Sequence, residues 1–339
     1  MPEKTSSNTS ILYWLYACCF MVFAMAIIGA ITRLTESGLS IVEWNPVMGA
    51  LPPFNEAEWQ RNFDLYKQTS EFKYQHSWME LSDFKTIFFW EWFHRLWGRL
   101  IGLVFAIPLV WFWARNKVPH GYKPRLVGLL LLGGAQGAIG YWMVVSGFVD
   151  RTDVSHYRLA IHLSIALLIF GLLWWTALDI KAADTKPNQN EKLYAHNHTT
   201  KTWAWLCLGL LSVTIIWGAF VAGLNAGQIY NSFPMMGKSL IPQEQFDISS
   251  IIDQHGWVQF FHRWIAVITG LFIIGFSVRV RALFLGAMVF IQIGLGISTL
   301  LTQVALPLAT AHQAGAIILL ALLINECHKI KNKAEKLRD

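Results

Sequence analysis

FFWEWFHRLWGRLIG, residues 88–102, is apolar and aromatic enough to enter a bilayer, yet it carries Glu91, His94, Arg95 and Arg99. The reading of this stretch decides the fold, because a helix that holds charge inside hydrocarbon needs a reason to do so. Over 339 residues, 54% are hydrophobic and only 14% charged, with a mean hydropathy of +0.40. These values lie outside the ordinary soluble range and inside that of polytopic membrane proteins. The net charge of +6 does not point to nucleic acid. Its Lys and Arg residues fall in short segments between apolar runs rather than along one stripe, which is a topology signal.

Apolar runs long enough to cross about 30 Å of hydrocarbon occur at 11–32, 86–113, 125–147, 156–178, 202–225, 257–277, 281–301 and 306–327. The expected fold class is therefore all-α and polytopic, with eight transmembrane helices. Basic residues cluster after the second, fourth and sixth runs (Arg115, Lys117, Lys123, Arg125; Lys181, Lys186, Lys192, Lys201; Arg279, Arg281) and in the tail (Lys329, Lys331, Lys333, Lys336, Arg338). By the positive-inside rule both termini are expected in the cytoplasm of a bacterial cell, with the chain in its inner membrane. The first run exceeds a signal-peptide core and lacks a small-residue cleavage site, so it reads as a retained helix. Cys18, Cys19, Cys207 and Cys327 all fall in or beside apolar runs, which leaves no loop disulfide or CxxC metal site.

The first outer loop, 33–85, is too long for a simple connector. Asn55 is placed to cap a short helix there, with Trp59, Phe63 and Tyr66 on one face and Glu56, Glu58 and Asp64 elsewhere. A helix lying on the outer surface is expected.

The chain also repeats. GAITRLTESGLS from Gly29 is answered by GAFVAGLNAGQI from Gly218, and NPVMGALPPFNEAEW by FPMMGKSLIPQEQFD, which aligns Pro46 and Gly49 with Pro234 and Gly237. WEWFHRLWGRLIGLV pairs with VQFFHRWIAVITGLF, AQGAIG with IQIGLG, and YRLAIHLSIALLI with LATAHQAGAIILL, so that His94 matches His262, Gln136 matches Gln292 and His162 matches His312. Four helices per half is an even number, so both halves enter the membrane with the same polarity. The expectation is two parallel four-helix-bundle repeats, 1–180 and 202–339, joined by a cytoplasmic linker at 181–201.

A lone histidine on an apolar face is usually a hydrogen-bonded core residue. Four at equivalent places in two repeats, all toward the outer leaflet, are a pattern of a different kind. Paired imidazoles from facing helices, with no Cys or paired carboxylates nearby, suit axial ligation of heme iron better than a zinc or dimetal site. Two hemes are expected, one held by His94 and His162, the other by His262 and His312. Arg95, Arg158 and Arg263 stand beside these histidines, where they either pair with heme propionates or snorkel to the interface. Gln136 and Gln292 are further candidate polar contacts near midplane. The aromatic wealth of Trp90, Trp92, Phe93 and Trp97 fits an interfacial belt, and the pairs Gly98/Gly102 and Gly133/Gly137 fit close helix packing.

The halves differ at one place. Three residues before His94 is Glu91, and three before His262 is Gln259, which has no comparable proton chemistry. The asymmetry points to a working site and a passive one. Glu91 either trades protons with a substrate or pairs with Arg95 at i+4, and the two roles are compatible.

Through GAITRLTESGLSIVEWNPVMGALPP, EWFHR, HYRLAIH, FFHR and AHQ, the chain resembles the heme A synthase family, particularly its mitochondrial and alphaproteobacterial form. The resemblance covers essentially the whole chain. It implies oxidation of the C8 methyl of heme O to a formyl group by successive hydroxylations with water as oxygen source, giving heme A for cytochrome c oxidase. It further implies that His94 and His162 hold the substrate heme, that His262 and His312 ligate a resident heme b, and that Glu91 assists the chemistry. Family members with cysteine pairs in their outer loops differ from this chain, so no loop disulfide carries over. Heme O synthase (protoheme farnesyltransferase), oxidase assembly factors, an electron acceptor and a second copy of the chain are the partners to consider. The competing reading is a di-heme cytochrome b that only moves electrons to or from a quinone; a heme-handling transporter is a third.

Overall fold

The computed structural model describes residues 3–44, 48–148, 151–184 and 198–336. Pro46, most of the 181–201 linker with Lys186 and Lys192, and Arg338 lie outside the described residues, as do the side chains of Lys333 and Lys336. The described elements are α1 (Glu3–Leu34), α2 (Glu56–Tyr66), α3 (Leu81–Ala114), α4 (Lys123–Val145), α5 (His156–Asp184), α6 (His198–Gly223), α7 (His255–Val280), α8 (Leu283–Leu301) and α9 (Leu306–Lys336), with short helical turns between them.

Eight of these helices carry stretches long and apolar enough to cross a membrane, one for each expected run. A backbone in hydrocarbon must satisfy its own polar groups, which a continuous helix does. The chain is a multi-pass, all-helical membrane protein. α1, α5, α6 and α9 form the centre, with α1 touching α5 and α9, α5 touching α6 and α9, and α6 touching α9. α3 and α4 close one side through α1 and α5; α7 and α8 close the other through α6 and α9. The main core runs along the central helices, through Ile11, Leu15, Leu173, Leu211, Ile273 and Leu323. All four cysteines are free and buried.

The outer loop departs from expectation. Asn55 does cap α2, its side chain accepting from the Glu58 amide at 2.9 Å. The apolar face of α2 does not, however, simply lie on the outer surface. Phe63 and Tyr66 are buried against Phe84, Ile87 and Phe88 of α3, which begins at Leu81, earlier than its apolar run, on a capping box of Glu80 and Asp83. The aromatic residues of α2 therefore gain a protein surface to cover, and the helix caps the end of α3.

The glycine pairs also read differently in three dimensions. A β-carbon at Gly102, Gly133 or Gly137 would meet nothing within 4 Å, and one at Gly98 only the Met25 methyl at 3.4 Å. No helix packs closely at these positions. The tight approaches are at other glycines.

Candidate functional site

Four of those approaches are made to the four histidines. A β-carbon on Gly29 of α1 would stand 3.1 Å from Cε1 of His94 on α3; on Gly140 of α4, 2.9 Å from His162 on α5; on Gly218 of α6, 3.0 Å from His262 on α7; on Gly296 of α8, 2.9 Å from His312 on α9. Each imidazole is thus seated edge-on against the backbone of the neighbouring helix, where only glycine leaves room. His94 and His162 lie close enough to interact electrostatically, as do His262 and His312.

Seating fixes the rings but does not satisfy them. The Nδ1 atoms of His94, His162 and His262 are buried without a hydrogen-bond partner, and His312 Nδ1 lies 3.2 Å from Gln292 Nε2. Buried polar atoms are normally paired, so three orphaned imidazole nitrogens in equivalent places are exceptional. Among the described residues no three His, Cys, Asp or Glu side chains converge as a metal-ion cage. Two imidazoles per half, each held by one helix and backed by a glycine of another, match what axial ligation of a heme requires. Around them α3 and α7 share a pattern. Glu91 and Gln259 are buried, the residues from Trp92 to Val104 and from Phe260 to Ile268 are not fully buried, and full burial resumes at Phe105 and Thr269.

The glutamines take a definite role. Gln136 Nε2 donates to the backbone carbonyl of His162, and Gln292 Nε2 to that of His312, each at 2.9 Å. They tie a histidine-bearing helix to its neighbour at the level of the histidine.

Arg95 and Arg263 hold the loops after α1 and α6, and Arg158 holds α4. Arg95 Nη2 donates to Ile41 O at 3.1 Å and its guanidinium lies 4.7 Å from the Trp44 ring. Arg263 donates to the carbonyls of Tyr230, Ser232 and Met235 at 2.7, 2.8 and 3.2 Å. Arg158 donates to Trp142 O at 2.6 Å and lies over that ring. Ile41 and Tyr230 occupy matching places in the repeat, so Arg95 and Arg263 clamp the same backbone carbonyl in the two halves.

At this clamp the halves diverge. Glu91 is 3% exposed. Its Oε1 accepts from Arg95 at 2.6 Å; its Oε2 accepts from Ser40 Oγ at 2.7 Å and from the Ile41 amide at 2.8 Å. Gln259 instead donates to Tyr230 O at 3.1 Å and accepts from Arg263 at 3.1 Å. One half presents a carboxyl group fixed by three donors, the other a neutral amide. The pairing with Arg95 was legible from spacing; Ser40 and Ile41 were not, although Ser40 falls where the second half has Ile229.

Residues 12–324 match the profile of a family described as cytochrome oxidase assembly protein, COX15-CtaA. The chain is 49% identical over 347 residues to a heme A synthase of Rhodospirillum centenum, covering 97% of this chain and 91% of that protein. It is 45% identical over 339 residues to a heme A synthase of Maricaulis maris (96% and 97% covered) and 39% identical over 343 residues to one of Nitrosomonas eutropha (97% and 96%).

Proposed function

This chain belongs to the cytochrome oxidase assembly protein family COX15-CtaA, and from that premise we propose that it is a membrane enzyme that oxidises heme O to heme A. In this reading His94 and His162 hold the substrate heme, and His262 and His312 hold a resident heme b. The observation that carries it is the set of half-buried imidazoles on glycine seats, equivalent in both halves, with a buried carboxyl group beside one set only. The two halves act as parallel repeats, supported by the matching helix contacts, the matching Gln-to-His carbonyl bonds and the matching arginine clamps.

Converting a methyl group to a formyl group with oxygen from water releases four electrons and four protons. When bound, heme b supplies a one-electron path toward an external acceptor. The protein's part is positional and electrostatic. His94 and His162 fix the substrate's plane, and Gln136 fixes the helix that carries His162. Glu91, locked by Arg95, Ser40 and the Ile41 amide, presents negative charge without reorganising, which suits stabilisation of a positively charged carbon during oxidation. Gln259 offers no such charge, so a heme held by His262 and His312 would lack the carboxylate that its oxidation needs. The basic residues between alternate spans support cytoplasmic termini in a bacterial inner membrane, with the histidines toward the outer face.

The test is expression in cells that supply heme O, followed by extraction and mass analysis of the bound hemes. The reading requires heme b together with heme O or heme A. Stable heme b in both halves, with neither heme O nor heme A, would return the chain to a di-heme cytochrome b. A Glu91→Gln variant is expected to lose heme A formation by about a hundredfold while keeping heme b.

A further inference from the structure

The outer loop holds a second set of buried titratable groups that the account so far does not use. Tyr66, the last residue of α2, is 0% exposed, Glu71 3% and His76 5%. The Tyr66 hydroxyl lies 2.9 Å from Glu71 Oε2 and 2.6 Å from His76 Nδ1. On the far side of the ring, His76 Nε2 lies 3.1 Å from Oε2 of Glu36, whose side chain is 46% exposed. The four groups form an unbroken hydrogen-bonded file that starts at a buried acid and ends at a carboxylate in water. Phe72–His76 forms a π-helical turn, a local irregularity common at functional sites.

A tyrosine hydroxyl has one proton, so it donates to one neighbour and accepts from the other. In the structure Tyr66 donates to Glu71; when Glu71 is protonated that bond can reverse, so that Glu71 donates to Tyr66, Tyr66 to His76 Nδ1, and His76 Nε2–H to Glu36. The charged surroundings favour that state. Burial first, then the charges of Glu91 on α3, Asp153 before α5 and Glu36 after α1, push Glu71 up to about 8 against the opposing bond from Tyr66. Glu36 is held below the ordinary carboxylate range, chiefly by its bond from His76 and further by the charges of His76 and Arg33. The inner end keeps its proton and the outer end readily gives one up.

We propose that Glu71, Tyr66, His76 and Glu36 are a proton relay from buried Glu71 to exposed Glu36, discharging protons released by methyl oxidation to water. This rests on the function proposed above. In one passage a proton arrives at the second oxygen of Glu71. The proton on Oε2 moves to Tyr66, that of Tyr66 to His76 Nδ1, and that of His76 Nε2 to Glu36, which releases it to water. No net charge is left on any member. Rotation of the hydroxyls and a tautomer change of His76 restore the starting state.

A structural role, fastening α2 to the loop, would need the rings more than the exchangeable protons. Tyr66→Phe separates the two, because it keeps the ring and removes the hydroxyl. The experiment uses the full chain in lipid nanodiscs. Infrared pH-difference spectra are expected to show a protonated carboxyl band that disappears in Glu71→Gln and shifts in Tyr66→Phe, whether or not heme is bound. In a single turnover with heme O and a one-electron oxidant, followed by a pH-indicating dye, Tyr66→Phe should slow proton release at least about tenfold at unchanged heme b content. A carboxyl band indifferent to Tyr66→Phe, or parental proton release in that variant, would overturn the relay. If the parent makes no heme A, the proposed function fails, and the infrared arm still decides whether Glu71 and Tyr66 share a proton path.

Discussion

Ser40 Oγ stands 2.7 Å from Glu91 Oε2, joining the loop after α1 to a buried carboxyl group where the second half has an amide. The matching residues of that half are Ile229 and Gln259. Both ends of the contact are therefore private to the first half. A hydrogen bond to a charged group is worth about 1.5–3 kcal/mol, so Ser40→Ala should lower the heme A to heme O ratio by about tenfold or more with heme b unchanged. The ratio is read by mass analysis of extracted hemes, and a parental ratio would show that Ser40 does not position Glu91.

The glycine seats predict a split between the halves. An added methyl group at Gly218 meets His262 at 3.0 Å, and one at Gly29 meets His94 at 3.1 Å, so each ring must shift by a few tenths of an ångström. Gly218→Ala should change the electron paramagnetic resonance signal of the resident heme and lower its occupancy. Gly29→Ala should leave that signal alone and reduce heme A formation by about tenfold. Identical spectra in all three proteins would mean that the seats do not set ligand geometry.

Much of this was legible before the structure. Eight apolar runs gave eight helices because hydrocarbon thickness dictates length, and repeat alignment singled out four histidines and one unmatched carboxyl group. Spacing along one helix, however, does not say what lies opposite. Gly102, Gly133 and Gly137 had the right interval for helix packing but a β-carbon there meets nothing within 4 Å, and one at Gly98 meets only a methyl of α1, whereas Gly29 and Gly218 owe their importance to a ring on another element. Likewise Arg95 and Arg263 were visible as cations beside ligands, but their loop carbonyl partners depend on how the outer loops fold back. The burial of α2 on an early-starting α3 followed from aromatic contacts across sequence that no local pattern encodes.

Near the C-terminal end of α5, Asp179 accepts from Arg125 Nη1 on α4 at 2.6 Å and pairs with His328 Nε2 on α9 at 2.8 Å. Asp179→Ala removes the carboxylate from both partners in a partly buried setting, which should cost about 2 kcal/mol. The midpoint of heat-induced unfolding in detergent is expected to fall by several degrees, with heme ratios unchanged in the folded fraction. An unaltered midpoint would show that this junction carries no stability.

The outer loop should respond to pH through two carboxyl groups of opposite sense. Glu71 binds its proton more tightly when folded, so its contribution is fully present below its ordinary value of 4.5 and is lost as pH rises toward about 8. Glu36 is shifted downward, so its contribution is present above its ordinary value and lost as pH falls through the lowered one. Amide exchange across residues 56–80, corrected for intrinsic rates, should show protection falling from pH 6 to 9, and Glu71→Gln should flatten that limb. An unchanged slope in Glu71→Gln would assign the response to other groups.

The division of labour between the halves is tested most directly by heme content in His94→Ala and His262→Ala proteins, purified from cells that supply heme O. The account predicts that His94→Ala keeps heme b and makes no heme A, whereas His262→Ala loses heme b and retains bound heme O. Loss of heme b on removing His94, with continued heme A formation when His262 is gone, would contradict it.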